Sequence, residues 1–238
     1  MHILFLNPYH SGSHAAVAEG YAAHSRHRVT LLTLPPDGGW RWRMRGAALT
    51  MARMVQEQQI MPDLIVTTDM LDLATFRALT RDYYTTQIPV VVYFHENQLT
   101  YPLPPNRTRD LSFAWTNYTS ALVADAVFFN SVFHQRSFLE ALTGLLRRYH
   151  DYQERHTINA IAKRAGVLPP GIDLASHDAI LAEASAPAPD DADLPVILWN
   201  SRWDYDKQPQ VFFKALADLE LRNVDFRLII AGEHIDPQ

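Results

Sequence analysis

Cysteine is absent from all 238 residues. With no thiol there is no disulfide, no thiolate nucleophile and no cysteine-ligated zinc, a usage that fits a cytoplasmic protein. Lysine is scarce: only Lys163, Lys207 and Lys214 occur among the 21 basic residues, an arginine bias of the kind a GC-rich genome produces. Long apolar runs are missing too. None approaches the ~20 residues that cross a bilayer. The start, Met1-His2-Ile3-Leu4-Phe5-Leu6-Asn7-Pro8, lacks a basic n-region and a small-residue cleavage site, and reads as a strand. Several chemical signatures are also missing. There is no dinucleotide glycine fingerprint, no P-loop, no Gly-x-Ser-x-Gly elbow, and no second histidine after His95-Glu96 to complete a zinc helix.

What is present is ordinary for a soluble globular chain with a sizeable core: 47% hydrophobic and 20% charged residues,. The length suits one large α/β domain, or one domain and part of another. The net charge of −5 hides an asymmetry. Residues 1–175 carry 16 Lys+Arg against 14 Asp+Glu, about +2, whereas residues 176–238 carry 5 against 12, about −7. Any polyanion contact is therefore expected on the first part.

Strand and helix patterns alternate from the first residue. Residues 2–7, 28–34, 63–67, 88–94 and 126–130 read as strands, and 15–24, 46–59, 71–81 and 110–124 as helices,. A long helical region over 132–165 is expected to break near Gly144, and 167–173 closes the domain. The βαβα order predicts a complete N-terminal Rossmann-like domain over 1–175, a parallel sheet with helices on both faces. An Ala/Pro/Asp-rich linker spans 176–194,. The pattern then restarts over 195–238 with a strand, a helix from Pro209 and a strand ending at Gly232-Glu233. One βαβ unit cannot cover both faces of its own sheet, so this segment reads as the truncated beginning of a second Rossmann-like domain.

The most informative stretch is Ile88-Pro89-Val90-Val91-Val92-Tyr93-Phe94-His95-Glu96-Asn97-Gln98-Leu99-Thr100-Tyr101-Pro102. A β-branched run ends abruptly in side chains that donate, accept or titrate, at the carboxyl end of a strand where α/β sheets bind ligands. A polar loop that merely caps the strand is the alternative. Phe129-Asn130-Ser131 repeats the arrangement one strand on, with Ser131 the better candidate for a helix cap. In Asn7-Pro8-Tyr9-His10-Ser11-Gly12-Ser13-His14, Gly12 permits close backbone approach and a helix start offers N–H groups to an anion or a sugar oxygen. Ser13 can equally serve as an N-cap. Trp40-Arg41-Trp42-Arg43-Met44-Arg45 alternates indoles and guanidiniums, which suits stacking on bases beside phosphates or a solvated edge with inward tryptophans. Asn200 to Pro209 places Arg202 and Lys207 around a turn before a helix, where two cations can clamp a diphosphate. Asp204-Tyr205-Asp206 has the form of a metal-binding Asp-x-Asp, but two cations stand beside it.

Taken in order through the chain, four motifs resemble the tRNA-queuosine mannosyltransferases. They are the Asn7–His14 loop, Trp40-Arg41-Trp42-Arg43-Met44-Arg45-Gly46-Ala47-Ala48, Tyr93 to Pro102, and Ile197-Leu198-Trp199-Asn200 through Arg202-Trp203 to Lys207. The resemblance implies a GT-B-type fold of two Rossmann-like domains and a retaining transfer of mannose from GDP-mannose to queuosine in tRNA. It also implies that no metal is needed, a cationic pair stabilising the leaving diphosphate instead. His95, with Glu96, is assigned to catalysis. Gly12, Ser13, His14, Asn130, Arg202, Lys207, Gly232 and Glu233 are assigned to the nucleotide-sugar donor. Trp40, Arg41, Trp42, Arg43, Arg45, Asn97, Gln98 and Tyr101 are assigned to the acceptor, with tRNA as the expected partner. The family's second domain continues past Gln238, so the 238-residue chain is expected to be inactive alone. A glycan, lipid or small-molecule acceptor, or a non-catalytic RNA- or nucleotide-binding module, are the competing readings. Oligomeric state stays open.

Overall fold

The structure is a computed structural model that describes residues 1–183 and 194–232. The chain divides into two compact units. The first comprises Met1–Tyr101 and Asp110–Ile172; the second comprises Pro102–Arg109 and the described residues from Asp173 onward.

The first unit is a six-stranded, all-parallel sheet. Its elements in chain order are β1 (His2–Asn7), α1 (Gly12–His24), β2 (Arg28–Thr33), α2 (Gly39–Glu57), β3 (Leu64–Thr68) and α3 (Leu73–Thr80). There follow β4 (Val90–Phe94), α4 (Leu111–Val123), β5 (Ala126–Phe129), α5 (Val132–Leu146), α6 (His156–Lys163) and β6 (Ala165–Val167). The strand order is β2-β1-β3-β4-β5-β6. The chain winds outward from β1 to β2, then crosses back to β3 and winds the other way. The carboxyl ends of β1 and β3 therefore flank a topological switch point, where the loops leave in opposite directions and open a crevice.

Burial explains why these segments are strands. Leu4, Leu6, Ile65, Val92, Phe94, Val127 and Phe129 are buried in one continuous core with α2, α3, α4 and α5. This is the composition expected where a parallel sheet is covered on both faces. Phe94 and Phe129 sit opposite each other in register and stack at 5.1 Å. Phe138 of α5 closes the cluster at 5.0 and 5.2 Å from them. Three helices start on side-chain caps: Asp72 accepts from Thr75 N, Asp110 from Ser112 N, and Ser131 from His134 N,.

Several expected boundaries move. Helix α1 begins at Gly12 rather than near residue 15, because Gly12 takes a φ of +49° and turns the chain directly into the helix,. Ser11, not Ser13, is the N-cap residue, and its side chain makes no capping bond. Helix α2 begins at Gly39 and takes in the whole Trp-Arg segment. The break in the long helical region falls over 147–155 rather than at Gly144, which lies inside α5. Tyr152 and Glu154, at φ +43° and +48°, cannot continue an α-helix. A sixth strand, β6, precedes the segment that closes the unit.

The second unit holds α7 (Leu174–Glu183), β7 (Val196–Asn200), α8 (Pro209–Leu221) and β8 (Arg227–Ala231). Strands β7 and β8 pair in parallel, Val196 opposite Arg227 through Asn200 opposite Ala231. Trp199 packs on Phe212 at 4.6 Å. Gly232, at φ +132°, lies so close to Ser201 that a Cβ there would meet its carbonyl oxygen at 2.2 Å.

The Phe94–Phe129–Phe138 cluster anchors the strand that carries His95. Phe94→Ala is expected to cost about 3–5 kcal/mol of unfolding free energy, the usual range for a buried phenylalanine, read as a lowered urea midpoint. A loss below ~1 kcal/mol would contradict this packing.

Candidate active site at the strand ends

The site is built on the loops that leave β1, β3, β4 and β5. At β4, the backbone of His95 is held from both sides. Asp69, just past β3, accepts the His95 N–H through Oδ1 at 2.9 Å, and Asn130, just past β5, donates through Nδ2 to the His95 carbonyl at 2.7 Å. Asp69 is itself fixed: its N–H bonds to Tyr93 O, and Asn117 of α4 donates to its carbonyl at 2.9 Å. The sequence reading did not select Asp69, Asn117, Asn7 or His134. A signal for Asp69 was available in Thr67-Thr68-Asp69, a polar strand end of the same kind as His95.

The His95 ring stacks on His14 of α1 with centroids 4.0 Å apart and planes 27° apart. Tyr93 meets it edge-on at 4.8 Å. His14 is placed by Asn7 at the end of β1, which donates to the His14 carbonyl and to His10 Nδ1, both at 3.0 Å. That bond makes His10 Nδ1 the acceptor, so its Nε2 carries the proton toward Glu19 Oε1 at 2.9 Å. A similar argument fixes His134. Asn130 spends its amide on His95, so its Oδ1 accepts from His134 Nδ1 at 3.1 Å and the His134 Nε2 lone pair is left open.

Electrostatics keep the imidazoles neutral. Burial lowers the pKa of His95 to about 3, with His14 and His134 adding to the effect. Burial alone lowers His14 and His134 to about 4. Asp69 moves the other way, well above the carboxylate range, because it is fully buried and faces Glu96. At neutral pH the cluster is therefore three uncharged imidazoles beside a buried carboxyl group that holds its proton more tightly than an ordinary carboxylate.

Several buried polar atoms have no hydrogen-bond partner among the described residues: Asn7 Oδ1, His14 Nδ1, Thr68 Oγ1, Asp69 Oδ2, His95 Nε2 and His134 Nε2. Each such orphan costs roughly 1–3 kcal/mol. Natural structures keep few of them, and those kept call for an occupant or a role. A neutral, hydroxyl-rich ligand that both donates and accepts would complete this set. No group of three or more His, Cys, Asp or Glu able to hold a metal occurs among the described residues. The rings of His14 and His95 lie face to face, an arrangement that does not aim two lone pairs at one point.

The other selected residues fall in different surroundings. Glu96 is half-buried and accepts from Gln98 Nε2 at 3.3 Å. Asn97 is buried and holds the turn, its Oδ1 accepting from Leu99 N and Thr100 N at 3.0 and 2.9 Å. Gln98 is also buried and donates its N–H to Asn117; Tyr101 N bonds back to Asn97 O. Gly12 and Ser13 are exposed at the start of α1. Ser131 caps α5, as expected.

The Trp-Arg segment is helical, so its alternation wraps around α2 rather than lining one edge. Trp40 packs on Phe113 at 5.1 Å, with Arg41 over its ring. Arg43 donates to the carbonyls of Pro35 and Asp37. Arg45 lies over Phe113 at 4.5 Å and donates to Ser112 Oγ. Trp42 is 61% exposed and covers Gly46. In the second unit, Arg202 pairs with Asp204 at 3.2 Å and Lys207 with Asp206 at 2.9 Å. Glu233 lies outside the described residues.

Comparison with known proteins identifies the fold and the family. The fold is similar to that of the GT-B glycosyltransferase structure described as "Trehalose-6-phosphate from E. coli bound with UDP-2-fluoro glucose". That likeness has a TM-score of 0.60 at 16% identity, over 100% of this chain and 66% of the other. More specifically, the family "tRNA-queuosine alpha-mannosyltransferase N-terminal" matches residues 2–172, and the chain belongs to it. The Drosophila melanogaster tRNA-queuosine alpha-mannosyltransferase is 30% identical over 234 residues, 98% of this chain. The chain spans 61% of that relative's length. No helix among the described residues is long and apolar enough to cross a membrane.

Two outcomes follow from the neutral cluster. In the unfolded chain each histidine protonates near pH 6.5, whereas the folded forms of His14, His95 and His134 resist until about 3–4. Their stabilisation is thus complete above pH 6.5 and is lost as pH falls toward 4, by up to about 1.4 kcal/mol per pH unit for each fully titrating group. Asp69 has the opposite sign over its own window, one group against three. The urea midpoint should therefore fall between pH 7 and pH 5; an unchanged midpoint would refute the neutral cluster. Second, Asp69→Asn keeps an acceptor for His95 N–H and removes the cost of a buried carboxylate charge, and is expected to change stability by less than ~1 kcal/mol. Asp69→Ala orphans that N–H and is expected to cost roughly 1–3 kcal/mol. Equal effects from the two variants would show that the hydrogen bond is unimportant.

Proposed function

We propose that the chain forms the acceptor-side domain and the beginning of the donor-side domain of a retaining glycosyltransferase that moves mannose from GDP-mannose to queuosine in tRNA. The observation that carries this reading is the cluster of unpartnered, uncharged polar atoms around His95, in a chain of this family. Sugar hydroxyls donate and accept at once, and a neutral imidazole or protonated carboxyl can match either role without the desolvation cost of a buried charge. His95 Nε2 and Asp69 Oδ2 would hold the transferred sugar or the hydroxyl that receives it, with His14 stacked behind His95 to keep its ring fixed.

Arg202 and Lys207 would take the leaving diphosphate. Their present partners, Asp204 and Asp206, form partly exposed ion pairs of the kind worth only about 0–1 kcal/mol. A diphosphate, with more charge and more acceptor oxygens, can displace them. Cationic side chains then stabilise the charge that develops on the leaving group. For the RNA, the exposed Arg41 and Trp42 at the start of α2 are the residues of the Trp-Arg segment best placed to stack and pair with a nucleotide. Arg43 is committed to backbone carbonyls and serves the helix start instead. The reading places the protein in the cytoplasm, where tRNA is modified.

Mannosyl transfer from GDP-mannose to queuosine-containing tRNA tests this directly, on this chain and on a chain extended to the length of its relative. The extended protein is expected to transfer mannose, and His95→Ala to reduce kcat at least about 100-fold, the scale of removing one oriented polar contact to the reacting group. Arg202→Ala and Lys207→Ala should each weaken GDP binding by about 10- to 100-fold, the worth of a charge-assisted hydrogen bond. GDP binding with transfer to a glycan but not to tRNA would replace the acceptor and leave the donor reading standing.

A further inference from the structure

A second cavity, of about 390 Å³, lies on the outer side of α4, under the 147–155 loop and the start of α6. None of its lining residues belongs to the strand-end site. Its walls are aromatic: Trp115, Tyr118, Tyr149 and Tyr152 all line it. Trp115 meets Tyr118 at 5.3 Å and 61°, and Tyr149 at 5.7 Å and 67°. Tyr118 and Tyr149 thus both stand at steep angles to Trp115, which forms the corner of a box.

The polar atoms of the lining decide what such a box can hold. Trp115 Nε1 donates to Tyr149 Oη at 3.1 Å, and the hydroxyls of Tyr118 and Thr157 bond each other at 2.6 Å. Thr119 Oγ1 donates to Trp115 O at 2.9 Å, and Gln153 Nε2 to Tyr149 O. The side-chain donors of the lining are therefore spent internally, apart from the phenols of the partly exposed Tyr149 and the 88% exposed Tyr152. What remains is ring faces and two carboxylates, Asp151 and Glu154; the lining holds no lysine, arginine or histidine. Beside the lining, His156 lies 3.5 Å from Glu154 and Arg155 donates to Gln153 Oε1. An anion or a nucleobase would find few donors here. A cation finds the negative faces of the rings and a carboxylate on either side of Tyr152.

We propose that this cavity is a binding site for a free small-molecule quaternary ammonium, a cation of the choline type. Its methyl groups match apolar ring faces and need no hydrogen bond, while its charge is met by ring quadrupoles and by Asp151 and Glu154. Tyr152 and Glu154 hold left-handed backbone conformations that non-glycine residues avoid. The cost of such conformations, about 1–3 kcal/mol each, is characteristic of ligand clamps, and here they fall in the loop that brings Asp151, Tyr152 and Glu154 to the cavity lining.

Ligand-observed NMR titration of this chain with choline chloride, against sodium chloride at equal ionic strength, tests the site. The probe for charge is 3,3-dimethylbutan-1-ol, which has the same shape and no charge. Saturable choline binding is expected, with the neutral analogue about two- to thirtyfold weaker. Trp115→Leu and Tyr152→Ala should each weaken choline binding. Tyr152 is exposed enough that its variant tests the site even if Trp115→Leu does not fold. Asp151→Asn combined with Glu154→Gln should reduce the preference for choline over the alcohol. Equal binding of the two probes, or no saturable choline binding, would overturn the proposal. A trimethyl-lysine peptide binding far more tightly than choline would overturn the assignment to a free small molecule.

Discussion

The double hold on the backbone of His95 is the constraint on which the site depends. Strand β4 ends at Phe94, and beyond it the chain would be free to turn as any loop does. Asp69 takes the His95 N–H and Asn130 takes its carbonyl, so the residue is fixed by the ends of both neighbouring strands. Those ends are themselves fixed by the parallel register of β3, β4 and β5. The geometry of one imidazole is thereby tied to the packing of the whole sheet, and the Phe94–Phe129–Phe138 cluster beneath it supplies the rigidity.

Holding the backbone this way has an electrostatic consequence. Asp69 can accept the His95 N–H only from a fully buried position, and there, facing Glu96, it favours its protonated form. His95 and His14 are pressed together, burial disfavours a charge on either, and His14 adds to that effect on His95. The result is a site whose three imidazoles are polar but uncharged at neutral pH. This suits the recognition of hydroxyl groups. Under the proposed function, neutral contacts to sugar and cationic contacts to diphosphate would come from separate parts of the sequence.

The alternating fold was legible because strand and helix periods are local properties. The run Val90-Val91-Val92-Tyr93-Phe94 announces a buried strand, and His95 beyond it announces a site. Asp69 obeyed the same rule at the end of β3 and was passed over, since a single acid after two threonines has no motif around it. Asn117 and His134 were not legible at all: they reach the site from helices, and only the packing of α4 and α5 brings them there. The Trp-Arg segment misled for a different reason. Alternation implies an edge if the backbone is extended, but Gly38 and Gly39, both at positive φ, start the helix early. The same residues then point in several directions.

Histidine nitrogen and carbon NMR between pH 7 and pH 5, with and without GDP-mannose, tests the central claim most directly. The account predicts that His14, His95 and His134 stay neutral down to pH 5. It also predicts that His134 is protonated on Nδ1, and that the Nε2 signal of His95 moves when GDP-mannose is added. A His95 that titrates near pH 6.5, or that does not respond to the sugar nucleotide, would contradict it.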